Sequence, residues 1–432
     1  MSVSLLRFAS LLSCSFVLVV SARAAEFFVA PDGKDDQPGT KEQPFATINR
    51  AQEAANAGDT VFIRGGKYAV REEQAPRKGL YAEFVSLTKS GKADAPIRYW
   101  AFPGEQPVFD LSGVRPAGVR IAAFHLTGSW IHVKGLEVTG MQVTIKTHTQ
   151  SICFYNDGSH NVYEQLRMHD GQAIGIYSVK GSDNLFLNCD AWQNHDFTSE
   201  DGKGGNVDGF GCHPAKGATG NVFRGCRAWL NSDDGFDCIT SNEGVTFEGC
   251  WAFRNGLSAE GKRLADGNGF KAGGYGSAPA DRLPQPIPRH VVKFCLAVGN
   301  RSSGFYGNHH PGGDDWFNNT AYHNGANFNM LGREMDNHTD IPGKGHKLRD
   351  NLSYKGGREL VNLDPVDSDS ANDSWDLRLK FTDADFVSLD ESKLAAPRKE
   401  DGSLPDIDFM RPVKEGAITL AKGAKLGAFE PK

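Results

Sequence analysis

The fold the sequence predicts is all-β: a parallel β-helix, in which short strands wind into a coil and each turn stacks on the last. Three observations carry this. From Trp130 onward a unit of about 24 residues recurs. Within it, asparagines and phenylalanines return at fixed places. And 50 of the 432 residues are glycine while only 10% are aromatic, which suits many tight turns and excludes a helical bundle.

Taken in order, residues 1–24 read as an export signal, with Arg7, an apolar run Phe8–Val20 and a small-x-small site at Ala22-Arg23-Ala24. The protein is therefore expected to be secreted or periplasmic, and no later stretch has the roughly 20 apolar residues of a membrane span. Glu26–Phe28 and Thr60–Arg64 read as strands. Between them Phe45–Ala57 is a weak helix with Ile48, Ala51 and Ala55 on one face, suited to covering the open end of a coil. Phe84–Thr88, Ile97–Ala101 and Val108–Leu111 are further strands without a clear period.

The repeat is plainest in Asn184-Leu-Phe-Leu-Asn-Cys-Asp-Ala-Trp-Gln-Asn194 against Asn221-Val-Phe-Arg-Gly-Cys-Arg-Ala-Trp-Leu-Asn231. With the cysteine as reference, the equivalent positions are Gln165, Cys189, Cys226, Cys250, Cys295, Asn319 and Asn351. Five residues later stand Asn194, Asn231, Asn255, Asn300 and Asn324, placed to hydrogen-bond along the stack as an amide ladder. A downstream row of Ile176, Phe210, Phe236, Phe270, Phe305 and Phe328 belongs in the core. In two units that row is delayed by about ten residues, so His195–Asn206 and Gly256–Gly267 are inserted loops at one corner. The periodic domain is expected to span 25–361, with 362–432 packing along it.

Seven cysteines remain after the leader, and their positions read as small buried hydrophobes. No C-x-x-C pair supports a zinc site. The net charge is −6, and −8 without residues 1–24, which hold two arginines and no acid. That excludes a general nucleic-acid binder.

Side chains alternate along a strand, so the residue after each core phenylalanine faces outward. This outward column reads Tyr177, Gly211, Asp237, Lys271, Tyr306, Asn329. Two residues before the phenylalanines stand Asp208, Asp234, Asn268, Ser303 and Ala326. Asp208, Asp234 and Asp237, with Asp233 at a turn beside them, form one acidic patch, and flexible carboxylates in such a patch suit calcium. Each acid alone reads as an ordinary turn residue, and Asp237 with Lys271 as a plain salt bridge. Their common register favours a site.

The segments Val207-Asp-Gly-Phe210, Asp233-Asp-Gly-Phe-Asp237 and Asp266-Gly-Asn-Gly-Phe-Lys271 resemble the pectate lyases of polysaccharide lyase family 9, in order and in spacing. The resemblance runs from about Phe27 to the C-terminal segment and is tightest over 184–324. It implies a right-handed coil, calcium held by Asp208, Asp233, Asp234 and Asp237, and Lys271 as the base of a β-elimination on polygalacturonate or a related uronan. A lysine base implies an alkaline optimum, because the amine must be unprotonated. Lys203, Lys262 or Arg263 on the inserted loops, and Tyr306 and Asn308 one coil above Lys271, are further candidates to hold an acidic sugar. The partner expected is an acidic polysaccharide bound by a monomer. A polygalacturonase-type hydrolase, with aspartates as acid and base, is the main rival, and a non-catalytic carbohydrate-binding solenoid the third reading.

Overall fold

The computed structural model describes residues 24–377, 380–414, 416 and 426–432. All of the expected export signal except Ala24 lies outside the described residues. Each turn of the coil gives strands to three sheets, which hold 12, 10 and 11 strands among the described residues and are parallel except where Arg77–Lys78 folds back antiparallel on Tyr81–Leu87. No helix among these residues is long and apolar enough to cross a membrane.

The core is a set of stacked rows. Phe186, Phe223, Phe247, Val292 and Trp316 are register partners in the first sheet, and Ala191, Ala228, Ala252, Ala297 and Ala321 in the second. Phe210, Phe236, Phe270, Phe305 and Phe328 stack in the third, with ring centroids 4.8–5.2 Å apart. The glycine before each of the first four rings is required by close approach. A Cβ on Gly235 would lie 2.7 Å from the Gly269 carbonyl oxygen, and one on Gly269 2.5 Å from that of Gly304.

The amide ladder forms as expected: Asn194, Asn231, Asn255, Asn300 and Asn324 each donate Nδ2 to the next amide oxygen at 2.9–3.2 Å, ending on Asn327. A second ladder, which the repeat alignment did not reveal, links Asn319 to Asn351 and ends on Asp373. One alignment position needs correcting. Gln165 has φ +55°, like Asn188, Phe294 and Asn318, so it is the left-handed turn residue; the buried equivalent of Cys189 is Leu166. That coil is one residue shorter than the rest, which a constant period of 24 hides. All seven cysteines are buried and free.

The helix spans Ile48–Ala54, capped by Thr47, and buries Ile48 and Ala51 with Ala55 at its C-cap. Asn49 and Gln52 hydrogen-bond the backbone of Phe84, Ser86 and Lys89, so their amides satisfy the edge that the helix covers. At the other end Asp369–Ala371 still adds a strand to the first sheet, so the coil continues past residue 361. The chain then returns along the second sheet. Phe386, Leu394, Ile407, Phe409 and Met410 pack on Trp251, Phe253, Leu296, Val298 and Tyr322. Arg398 and Arg227 both clasp buried Asp190, at 2.6 and 2.8 Å.

Candidate active site

The acids and the lysine converge on the third sheet, where its strands shrink to two residues, Phe236–Asp237 and Phe270–Lys271. The register is Gly211 to Asp237 to Lys271 to Tyr306 to Asn329, the outward column expected. The column two residues before the phenylalanines is hydrogen-bonded along its length. Asp208 Oδ1 accepts the Asp234 N–H at 3.1 Å, Asp234 Oδ1 that of Asn268 at 2.6 Å, and Asn268 Oδ1 that of Ser303 at 3.1 Å. Each carboxylate thus spends one oxygen on the stack and keeps the other. Lys271 Nζ lies 3.0 Å from Asp234 Oδ2 and 3.2 Å from Asp237 Oδ2.

Asp208, Asp234 and Asp237 each offer an oxygen within 4.8 Å of the others, and all three are buried. Asp233 is also buried and uses Oδ1 to accept the Asp266 N–H at 3.2 Å. Burial, then repulsion from neighbouring carboxylates, holds Asp208 and Asp233 well above the usual carboxylate range, and burial raises Asp234 too. Lys271 is pulled down by burial, but Asp234, Asp237, Asp233 and Asp208 outweigh this and hold it well above an ordinary lysine. Four buried acids around one ammonium leave excess negative charge, and an all-oxygen donor set of this kind fits a hard divalent cation.

The sequence candidates for sugar contact divide. Tyr306 is half-exposed beside Lys271. Asn308 is 7% exposed and donates Nδ2 to Gly273 O at 2.7 Å, so it braces the turn after the lysine. Lys203 pairs with Asp201 at 3.0 Å. With Arg263, Glu200, Asp266 and Arg301 these residues line a separate cleft of about 640 Å³ between the inserted loops, and no residue of the outward column lines it. Lys262 is exposed on its loop.

Two features were missed. Tyr177 lies over Gly211, where a Cβ would stand 2.7 Å from Cδ2, and its hydroxyl is 3.4 Å from His213 Nδ1. His213 is outward by alternation, two residues past Gly211, and that spacing was legible. The hairpin of Leu331–Arg333 with Asp340–Pro342 is braced on the loop after Lys271 through Arg333 and Asn337, which bond Gly276 O. Nothing in its sequence marks that contact.

Buried His290, His310 and Asp314 also lie close enough to suggest a metal. The hydrogen bonds argue otherwise. Nδ1 of His290 accepts the Val245 N–H and Nδ1 of His310 that of Gly274, which places each ring's proton on Nε2; His310 Nε2 then donates to Pro288 O at 2.8 Å. Neither ring keeps a lone pair for an ion.

Comparison with known proteins agrees with this fold. A family model described as "Pel9A-like, right handed beta helix region" matches residues 27–345. Pectate lyase L of Dickeya chrysanthemi is 34% identical over 94% of this chain and 90% of its own length. Among solved structures, a rhamnogalacturonan lyase is 43% identical with a TM-score of 0.88, covering 94% of this chain and 100% of that one. The crystal structure of pectate lyase Pel9A is 31% identical with a TM-score of 0.76, covering 94% and 96%. A parallel coil carrying this cluster, with such relatives, defines a polysaccharide lyase, which sets aside the hydrolase and non-catalytic readings. The chain belongs to the Pel9A-like right-handed β-helix family.

Proposed function

We propose that this lyase cleaves 4-linked galacturonate backbones by calcium-assisted β-elimination, with Lys271 as the base. The observation that carries it is the buried pairing of Lys271 Nζ with Asp234 and Asp237 on the outward face. Asp208, Asp234 and Asp237, with Asp233 beside them, would hold the ion. When bound, it neutralises both these acids and the uronate carboxylate, which favours a free amine and stabilises the charge developing at C5. Lys271 then takes the C5 proton, and the C5–H electron pair forms the C4–C5 double bond as C4–O4 breaks. O4 leaves on the neighbouring sugar, which gains a proton from water, so an unsaturated uronate is left at the new end. Asn308 keeps the turn after Lys271 in place. The leader over 1–24 supports export to where such polymers occur. The test is ultraviolet absorbance of the unsaturated product: it should rise on galacturonate polymers with calcium and stay flat in chelator. Full activity in chelator would refute the ion's part.

A further inference from the structure

The surroundings of Lys271 narrow the backbone that fits, given the base and carboxylate cluster just proposed. Two outward columns form this face. The first runs Tyr155, Tyr177, Gly211, Asp237, Lys271, Tyr306, Asn329. The second, two residues further on by alternation, runs Asp157, Val179, His213, Ile239, Gly273, Asn308. Tyr155, Tyr177, Val179, His213, Ile239 and Tyr306 are all half-exposed. Lys271 is the one lysine or arginine in either column.

Of the cations at the margins, Arg120 acts on Tyr155 at the far end of the face and Lys262 is exposed on its inserted loop, while those nearer Lys271 are engaged or line the neighbouring cleft. Arg333 is spent on Asp340 and on the carbonyls of Gly276 and Asn337, and Arg301 on those of Leu264 and Ala265. Lys180 pairs with Asp157. Lys203 and Arg263 line the separate cleft, among Glu200, Asp201 and Asp266. A polymer with a carboxylate on every ring would therefore press unpaired anions against tyrosine, isoleucine and valine beside an already acidic cluster. Uncompensated charge on a partly dry surface is costly. A neutral ring with an apolar methyl fits those same side chains.

We infer that this site takes a backbone in which a uronate alternates with a neutral 6-deoxyhexose, the rhamnogalacturonan repeat, with the uronate at Lys271 and the deoxy rings against Tyr177, His213 and Ile239 on one side and Tyr306 on the other. The greater likeness to a rhamnogalacturonan lyase, at 43% identity, than to pectate lyase Pel9A, at 31%, points the same way.

Two measurements test it. With calcium, kcat/KM on rhamnogalacturonan should exceed that on polygalacturonate by about 100-fold, roughly tenfold for each flanking ring. Equal or better cleavage of polygalacturonate overturns the inference. Binding decides separately from chemistry: in Lys271→Ala, and in wild type with chelator should that variant not fold, alternating oligosaccharides should bind at least about tenfold tighter than oligogalacturonates. Equal or reversed binding overturns the inference even if elimination is confirmed. No ultraviolet product from either polymer would sink the elimination chemistry, and the binding ratio would still decide the backbone. Ile239→Lys, adding a cation on this face, should narrow the kcat/KM gap several-fold, by about 1 kcal/mol; an unchanged gap overturns the charge account.

Discussion

Lys271→Ala should slow elimination severely and at the same time tighten calcium binding. In the structure the ammonium holds Asp234 Oδ2 and Asp237 Oδ2, at 3.0 and 3.2 Å, two of the three acids that come within 4.8 Å of one another. An ion using those oxygens must displace Nζ or sit beside it. A single positive charge about 5 Å from a divalent ion repels it by about 7 kcal/mol at an effective dielectric near 20. The lysine stem swings away and relieves most of that, so the floor is set by a residual of about 1.4 kcal/mol, a tenfold change in Kd. Calorimetric titration of calcium into chelator-treated protein measures it. Expected are a Kd at least about tenfold lower in the variant and a loss of about 10²–10⁴-fold in rate, the range for removing a general base. Calcium binding equal to or weaker than wild type would refute the shared-position reasoning, whatever happens to activity.

Asp234→Asn keeps the bonds from Asn268 but removes a charge, so calcium affinity should fall at least about tenfold, opposite in sign to Lys271→Ala, by the same titration. Asp190→Ala strands two buried guanidiniums and should cost about 3–5 kcal/mol in denaturant unfolding, with the 380–414 return segment becoming protease-sensitive first. Asp373 is fully buried at the end of the second amide ladder, and burial pushes it up to about 7. A carboxyl raised on folding binds its proton more tightly in the native state, so the protein loses stability as pH climbs from about 4 to about 7 and no further above it. Asp373→Asn preserves the ladder acceptor and removes this loss: its advantage over wild type in unfolding free energy, from denaturant titration, should widen from pH 5 to pH 8, reaching at most about 4 kcal/mol, and a constant gap would refute it.

The fold was legible because stacking forces identical demands on every coil. A phenylalanine can face another only if the preceding glycine lets the next coil's carbonyl approach, so Gly-Phe had to recur at Gly209, Gly235, Gly269 and Gly304. The amide ladder demanded asparagine in the same way. From those rows the height of Asp208, Asp234, Asp237 and Lys271 followed by counting. What did not follow was anything set by contact across loops. Lys203 and Arg263 lie close to the site in sequence, yet their loops turn them into a different cleft. Asn308 has the right register for a sugar contact but is consumed by Gly273 O. Gln165 shows the limit of a fixed period, since a coil one residue short moves a buried position onto a turn.

Fold and chemistry use the same residues at this site, through different oxygens. Asp208 and Asp234 each place Oδ1 on the backbone N–H of the next coil, the job done elsewhere by asparagine, and so hold the stack together while turning Oδ2 toward the cluster. An asparagine there would serve the ladder equally well, as Asn268 does one coil on. The carboxylates therefore owe nothing to stacking and make it worse, because burial and mutual repulsion raise Asp208, Asp233 and Asp234 together. Acids that strain a stack which would tolerate their neutral isosteres are what the proposed ion site requires. The rigid rows on either side, Phe210 to Phe328 and Asn194 to Asn324, keep the acids about one strand spacing apart without collapse. Substituting a ladder amide that makes no hydrogen bond to the acids, such as Asn300→Ala, thus removes bonds of the stack, whereas Asp234→Asn keeps the stack's bonds and removes a charge.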